Sequence, residues 1–247
     1  MNLLIDAGNT RIKWAFERDG ALEQSAHSVH RGRAIEEAVQ PIAALGTPAE
    51  RVIVSNVGGA ALGEALRKVA EERFGAPAEF AVVRREAFGL RIAYADPKRL
   101  GVDRWLAMLG ARASNEGALL IVGVGTAMTI DGVGADGTHL GGLIVPGLET
   151  MKASLLAGTA GIRDAGDGRA PEIFASDTGS AVSGGAAHAL AALVERAAAE
   201  LARRSGAPGR LVLTGGDAEL IRSLVSVDGI VDPDLVLHGL VVYARNR

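Results

Sequence analysis

The residues of this 247-residue chain with most capacity for chemistry sit in short glycine-containing segments. Asp6-Ala7-Gly8-Asn9-Thr10 follows the apolar run Leu3-Leu4-Ile5 at a point where a buried strand turns sharply into the next. Gly8 permits close backbone approach, Asn9 tolerates a turn conformation, and the Thr10 hydroxyl with nearby N–H groups can hydrogen-bond phosphate oxygens. Asp6, at the end of an apolar strand, needs a partner to remain charged, and a hydrated magnesium ion is one that fits. The same residues also spell an ordinary tight turn. Lys13 can reach a phosphate or, by strand alternation, point to solvent.

A second set is Gly101-Val102-Asp103-Arg104-Trp105. An aspartate at a helix start is by default a cap or a favourable charge against the helix dipole. Arg104 beside it is disfavoured there on charge grounds, and Gly101 leaves room for a ligand. Asp103 can accept a hydroxyl proton and Arg104 can grip a carboxylate with two parallel hydrogen bonds. Ser176-Asp177-Thr178 reads first as a helix N-cap, with a substrate contact from Thr178 as the alternative. The five histidines, at 27, 30, 139, 188 and 238, lack metal-ligand spacing, and Trp14 and Trp105 read as core anchors. There is no G-x-x-x-x-G-K-[ST] P-loop and no G-x-G-x-x-G opening a helix after a strand, so phosphate binding must use hairpins.

The elements that position these residues follow from an internal repeat. Leu4–Thr10 falls over Ile121–Ala127, placing Asp6 over Gly123 and Gly8 over Gly125, and the same offset places the turn Asp19-Gly20 over Asp136-Gly137. Each half therefore opens with a buried strand, a glycine-containing turn, a second strand, an Asp-Gly hairpin and a third strand. Two strand-to-helix junctions also match: Arg51–Gly59 before a helix over 60–74, and Arg210–Gly216 before a helix over 217–224. Apolar spacing predicts further helices over 34–44, 102–113, 146–156, 180–204 and 233–244. Strands interleaved with helices imply an α/β architecture with covered sheets. The polar break Ser114-Asn115-Glu116-Gly117 separates residues 1–115 from 116–247, and the Gly-, Asp- and Pro-containing segment Ala157–Asp177 reads as a mobile loop over a site. Duplication brings Gly125-Thr126 to the level of the first hairpin, so that two phosphate-gripping hairpins face each other across a cleft.

Composition narrows the function classes. The chain has no cysteine, which excludes disulfides, thiol nucleophiles and thiolate metal sites. A net charge of −3 without basic runs argues against nucleic acid or an anionic membrane as partner. Met1–Asp6 lacks a basic n-region, and the most apolar later stretch, Ala118 to Ile130, is too short and interrupted to span a bilayer. A cytoplasmic protein acting on small molecules is expected.

In order and spacing, Asp6-x-Gly-Asn-Thr10, Gly101-Val-Asp-Arg104, Gly125-Thr126 and Gly141-Gly142-x-x-x-Pro-Gly147 resemble the type III pantothenate kinases of the acetate and sugar kinase/Hsp70/actin superfamily. The Gly-x-Asp-Arg-Trp motif, with Tyr94 seven residues ahead of Gly101, is the specific part. The resemblance implies duplicated actin-like (ribonuclease H-like) domains with mixed central sheets, and ATP-dependent phosphorylation of pantothenate in a homodimer whose site is completed across the subunit interface. It implies that Asp6, Ala7, Gly8, Asn9, Thr10, Arg11, Ile12 and Lys13 hold ATP phosphates, with magnesium at Asp6, and that Thr126 holds phosphate. It places Tyr94, Gly101, Val102, Asp103, Arg104 and Thr178 on pantothenate, with Asp103 as general base. A monovalent cation, potassium or ammonium, is expected from the family, but Gly123 stands where the family usually has the aspartate that helps bind it. The family's Thr-Ala-x-Leu-Pro segment is altered here to Thr159-Ala160-Gly161-Ile162-Arg163. Two other readings are a different small-molecule kinase of the superfamily and a non-catalytic nucleotide-dependent regulator.

Overall fold

The computed structural model describes residues 1–162 and 172–245. The expected loop Ala157–Asp177 therefore lies partly outside the described residues. The chain divides into two compact units, one formed by Met1–Ser114 with Asp234–Arg247 and the other by Asn115–Pro233.

The first unit is built on β1 (Asn2–Ala7), β2 (Arg11–Arg18), β3 (Ala21–Val29), α1 (Ile35–Ala43), β4 (Arg51–Asn56), α2 (Ala60–Val69), β5 (Ala78–Phe80), the short pair β6 (Glu86–Ala87) and β7 (Leu90–Arg91), and α3 (Val102–Ser114). A five-residue π-helical turn, Ala70–Phe74, prolongs α2 to the end expected from the sequence. The main sheet has the order β3-β2-β1-β4-β5, with β1 antiparallel to β2 and parallel to β4. Leu3, Leu4 and Ile5 are buried, as a central strand covered on both faces requires.

The second unit repeats the plan with β8 (Leu119–Val124), β9 (Ala127–Val133), β10 (His139–Pro146), α4 (Leu148–Gly158), α5 (Thr178–Ser205), β11 (Arg210–Thr214), α6 (Ala218–Leu224) and β12 (Gly229–Val231). Its sheet order, β10-β9-β8-β11-β12, and its strand directions are those of the first. Asn2 pairs with Arg51 in one sheet and Leu119 with Arg210 in the other, so both the opening hairpins and the two strand-to-helix junctions are structurally equivalent. Met128, Ile130 and Leu120 on one face of this sheet join Leu190, Val194 and Leu201 of α5 in a single apolar core.

The matching turns diverge in detail. Asp19 and Gly20 both take positive φ, the pattern of a two-residue hairpin turn. At the second site only Gly137 does, and the loop opens to Gly134–Thr138, closed by Gly134 N–H donating to Thr138 O and by Asp136 accepting from Thr138 N–H.

One expected boundary is corrected. The division at 115/116 assigned the last helix to the second half, whereas α7 (Leu235–Arg245) belongs to the first unit, packed against α3. The reason is steric. A Cβ on Gly110 of α3 would lie 2.3 Å from Leu235 O, and one on Gly239 of α7 would lie 2.0 Å from Leu106 O. Two glycines thus let the helix backbones touch, and Trp105 and Tyr243, both fully buried, meet edge to face at 6.1 Å beside the crossing. Gly239→Ala is expected to destabilise the protein by about 1–3 kcal/mol through overpacking, read as a lower denaturant midpoint at unchanged slope.

Candidate functional site

The first hairpin is a tight closure between β1 and β2. Gly8 N–H donates to Arg11 O at 3.0 Å, and a Cβ on Gly8 would sit 3.2 Å from that same oxygen. Close approach, rather than a left-handed backbone, is what calls for glycine here. Ala7 and Ile12, expected among the phosphate residues, have side chains fully buried in the core, so only their backbone is available to a ligand. Asn9 and Arg11 are exposed. The loop after β4 lies against the hairpin: Val57 and Gly58 N–H both donate to Ala7 O, and a Cβ on Gly58 would lie 2.8 Å from Gly8 O.

Strand register sets Asp6 beside Lys13 on β2 and Ser55 on β4. Asp6 Oδ1 is buried without a hydrogen-bond partner. Burial first, and then the nearby Asp103 carboxylate, push the Asp6 carboxyl up from 3.8 to about 7, with Ser55 and Lys13 only partly offsetting them. Two carboxylates from segments far apart in sequence, β1 and the first turn of α3, therefore act on each other. Lys13 is not simply solvated: its Nζ lies 3.8 Å from Asp234, just ahead of α7.

Tyr94 and Arg104 also come together. Arg104 is buried, its guanidinium donates to the Tyr94 hydroxyl at 3.2 Å and lies 5.9 Å from the centre of the Tyr94 ring. A buried cation presented with a hydroxyl is suited to an anionic ligand group. Gly101, expected to leave room for a ligand, leaves room for the Asp103 side chain: a Cβ there would meet Asp103 Oδ1 at 2.6 Å. Val102 is half-buried at the start of α3.

Thr126 and Thr178 belong to the second unit. The Thr126 carbonyl accepts from Gly147 N–H at 2.9 Å and from the Thr150 hydroxyl at 2.6 Å, which ties the second hairpin to the start of α4. Thr178 opens α5 with an exposed side chain, and Asp177 is the cap, accepting from Ser180 N–H at 2.9 Å. Thr178 lines a cavity of about 680 Å³ together with Lys152, Leu155 and Asp177. At Gly123 a Cβ would lie 2.9 Å from Thr129 Oγ1. Asp131 is buried and its carboxylate is engaged by His139 Nε2 at 3.0 Å.

Two residues near the first hairpin had no functional signal in the sequence. Asp234 meets Lys13 from the other end of the chain, and the His30 ring meets the Gly8 carbonyl at 2.9 Å. Neither belongs to a motif, and no spacing connects them to residues 6–13.

The model of the type III pantothenate kinase family matches residues 2–200. The chain belongs to the type III pantothenate kinase family. A protein of this family from Nitrosococcus oceani is 37% identical over 252 residues, covering 100% of this chain and 94% of its own length. One from Azoarcus sp. strain BH72 is 40% identical over 245 residues, covering 99% and 90%. Among solved structures, a ROK family glucokinase from Streptomyces griseus in complex with glucose and AMPPNP superposes with a TM-score of 0.54 at 15% identity, covering 100% of this chain and 99% of that one. That likeness establishes the duplicated actin-like fold for the family member described here.

The raised Asp6 carboxyl has a consequence for stability. The folded protein holds this proton up to about pH 7 while the unfolded chain releases it near 3.8, so the ligand-free protein loses stability as pH rises between those values. Asp6→Asn removes the ionising group. Its melting temperature is expected to exceed that of the unaltered protein at pH 8 and to converge with it near pH 4, the gap at pH 8 corresponding to at most about 4 kcal/mol at 1.36 kcal/mol per unit.

Proposed function

We propose that this chain transfers the γ-phosphoryl group of ATP to the primary hydroxyl of pantothenate, giving 4'-phosphopantothenate and ADP, the first step towards coenzyme A. Family membership supports the activity, and the observation that carries the residue assignment is the joint arrangement of Asp103 with Asp6 and of Arg104 with Tyr94 in one unit.

In this reading Arg104 and Tyr94 bind the pantothenate carboxylate, with Gly101 and Val102 lining the approach and Thr178 contacting the substrate. Asp103 accepts the proton of the attacking hydroxyl as its oxygen bonds to the γ-phosphorus and the bond to the ADP oxygen breaks. Phosphoryl transfer asks mainly for positioning and charge neutralisation, so a single well-placed carboxylate is enough acid–base chemistry. The hairpin from Asp6 to Lys13 holds phosphate through backbone N–H groups, the Thr10 hydroxyl and the Lys13 ammonium, and Thr126 adds a contact from the second hairpin.

Magnesium fits the residues present. The orphaned, buried Oδ1 of Asp6 is a hard oxygen donor, and this ion is commonly held by one or two carboxylates together with substrate phosphates. When bound it supplies positive charge against the phosphate oxygens. It also adds to the partial counter-charge that Lys13 gives Asp6 in the ligand-free protein.

A monovalent cation does not fit in the same way. Gly123 offers no carboxylate, the Thr129 hydroxyl stands where a side chain at 123 would begin, and Asp131 on the same hairpin is committed to His139. Replacing sodium by potassium or ammonium is expected to leave turnover unchanged; a requirement for either ion would show that another residue supplies the site.

The decisive assay couples ADP release to pantothenate with purified protein, ATP and magnesium, and measures the same rate for Asp103→Asn. We expect pantothenate-dependent turnover by the unaltered protein and a fall in kcat of about 10²–10⁴-fold in the variant with an unchanged melting curve. Near-normal turnover by Asp103→Asn would remove the general-base role. ATP consumption stimulated by another alcohol and not by pantothenate would favour a different small-molecule kinase. Nucleotide binding with no acceptor at all would favour a regulator.

A further inference from the structure

His30 lies just past the end of β3, where the chain leaves the sheet, and it grips the first hairpin twice. Its backbone N–H donates to Thr10 O at 2.9 Å, seconded by Arg31 N–H at 3.3 Å, and its ring Nε2 lies 2.9 Å from Gly8 O. A carbonyl oxygen only accepts, so Nε2 carries the hydrogen and donates. Both the neutral Nε2–H tautomer and the imidazolium can make this bond.

The consequence runs through the peptide group. No peptide bond among the described residues is cis, and across a trans peptide the carbonyl of one residue and the N–H of the next point in opposite directions. Holding Gly8 O therefore aims the Asn9 N–H away from His30. Gly8 N–H is itself spent on Arg11 O, which closes the turn, and Asn9 is exposed at its tip. Rotation of the Gly8–Asn9 peptide is one freedom this turn keeps, and glycine on one side makes that rotation easy. The histidine ring opposes it by holding the Gly8 carbonyl in a hydrogen bond, on an oxygen that the Gly58 backbone also approaches closely.

We propose that His30 is a positioning residue for the nucleotide: it fixes the Gly8–Asn9 peptide so that the Asn9 N–H is presented to a phosphate before the nucleotide arrives. Without the ring, the turn must be ordered on binding, and that entropy is subtracted from nucleotide affinity. The pantothenate residues Tyr94, Asp103 and Arg104 lie on other elements and keep their own supports. The assignment takes its ligand, a nucleoside triphosphate, from the kinase reading above.

The test measures the dissociation constant of a non-hydrolysable ATP analogue with magnesium by calorimetry on the full chain, alongside KM for ATP and for pantothenate. For His30→Ala we expect nucleotide binding and KM for ATP to weaken about fivefold, the usual scale of one lost hydrogen bond, with KM for pantothenate unchanged. His30→Gln can donate an amide N–H to the same carbonyl and is expected to recover affinity to within about twofold of the unaltered protein. Nucleotide affinity of His30→Ala equal to that of the unaltered protein would overturn the proposal. So would an equal loss for both substrates with a lowered melting temperature, since that is the signature of a merely structural residue. Failure of the unaltered protein to phosphorylate pantothenate would sink the kinase reading instead, while the series of nucleotide dissociation constants would still decide the role of His30.

Discussion

The carbonyl that ends each central strand is the point on which both units are organised. In the first unit Ala7 O accepts from Val57 and Gly58 N–H, and in the second Val124 O accepts from Asp217 N–H. These bonds join the turn leaving β1 or β8 to the loop leaving its parallel neighbour, β4 or β11. The two segments come so close that side chains are excluded. A Cβ on Gly58 would lie 2.8 Å from Gly8 O, and one on Gly215, at φ +104°, would lie 2.2 Å from Val124 O. Backbone N–H groups can gather at this end of each sheet because glycine keeps carbon away from it.

Charge is arranged around the same point in the first unit. Asp6, one residue before the end of β1, has a buried, unpartnered oxygen and a second carboxylate nearby, a costly state for the protein alone. Strain of this kind is tolerated at sites where a ligand relieves it. Lys13 is drawn towards Asp234 and Arg104 towards Tyr94, so both cations are oriented before any anion binds. The helix pair α3 and α7 makes this possible, because the crossing at Gly110 and Gly239 carries Asp103 and Arg104 on one helix and sets Asp234 just ahead of the other.

Much of this was legible beforehand because it depends on local chemistry. The run Leu3-Leu4-Ile5, the glycine-containing turn and the Asp-Gly pair fix strand, turn and hairpin within a few residues, and their recurrence 117 positions later marks the duplicated opening of the second sheet. Asp177 as a cap and the helices expected over 60–74 and 102–113 follow from the same short-range rules. The turn at Asp136-Gly137 was less transparent, since Gly134 and Thr138 close a longer loop that the dipeptide alone does not announce.

The sequence by itself determined the repeat, the strand and helix elements, the glycine turns and the motif residues that place the chain in its family, because each is encoded in residue types a few positions apart. Only the tertiary structure decided that α7 returns to the first unit, that Asp6 and Asp103 act on each other, that Tyr94 meets Arg104, and that His30 and Asp234 contact the first hairpin. Those outcomes are contacts between residues 10 to more than 200 positions apart. They are selected by which backbones can approach closely and which polar groups remain unpaired on burial, and neither quantity exists until the chain has packed.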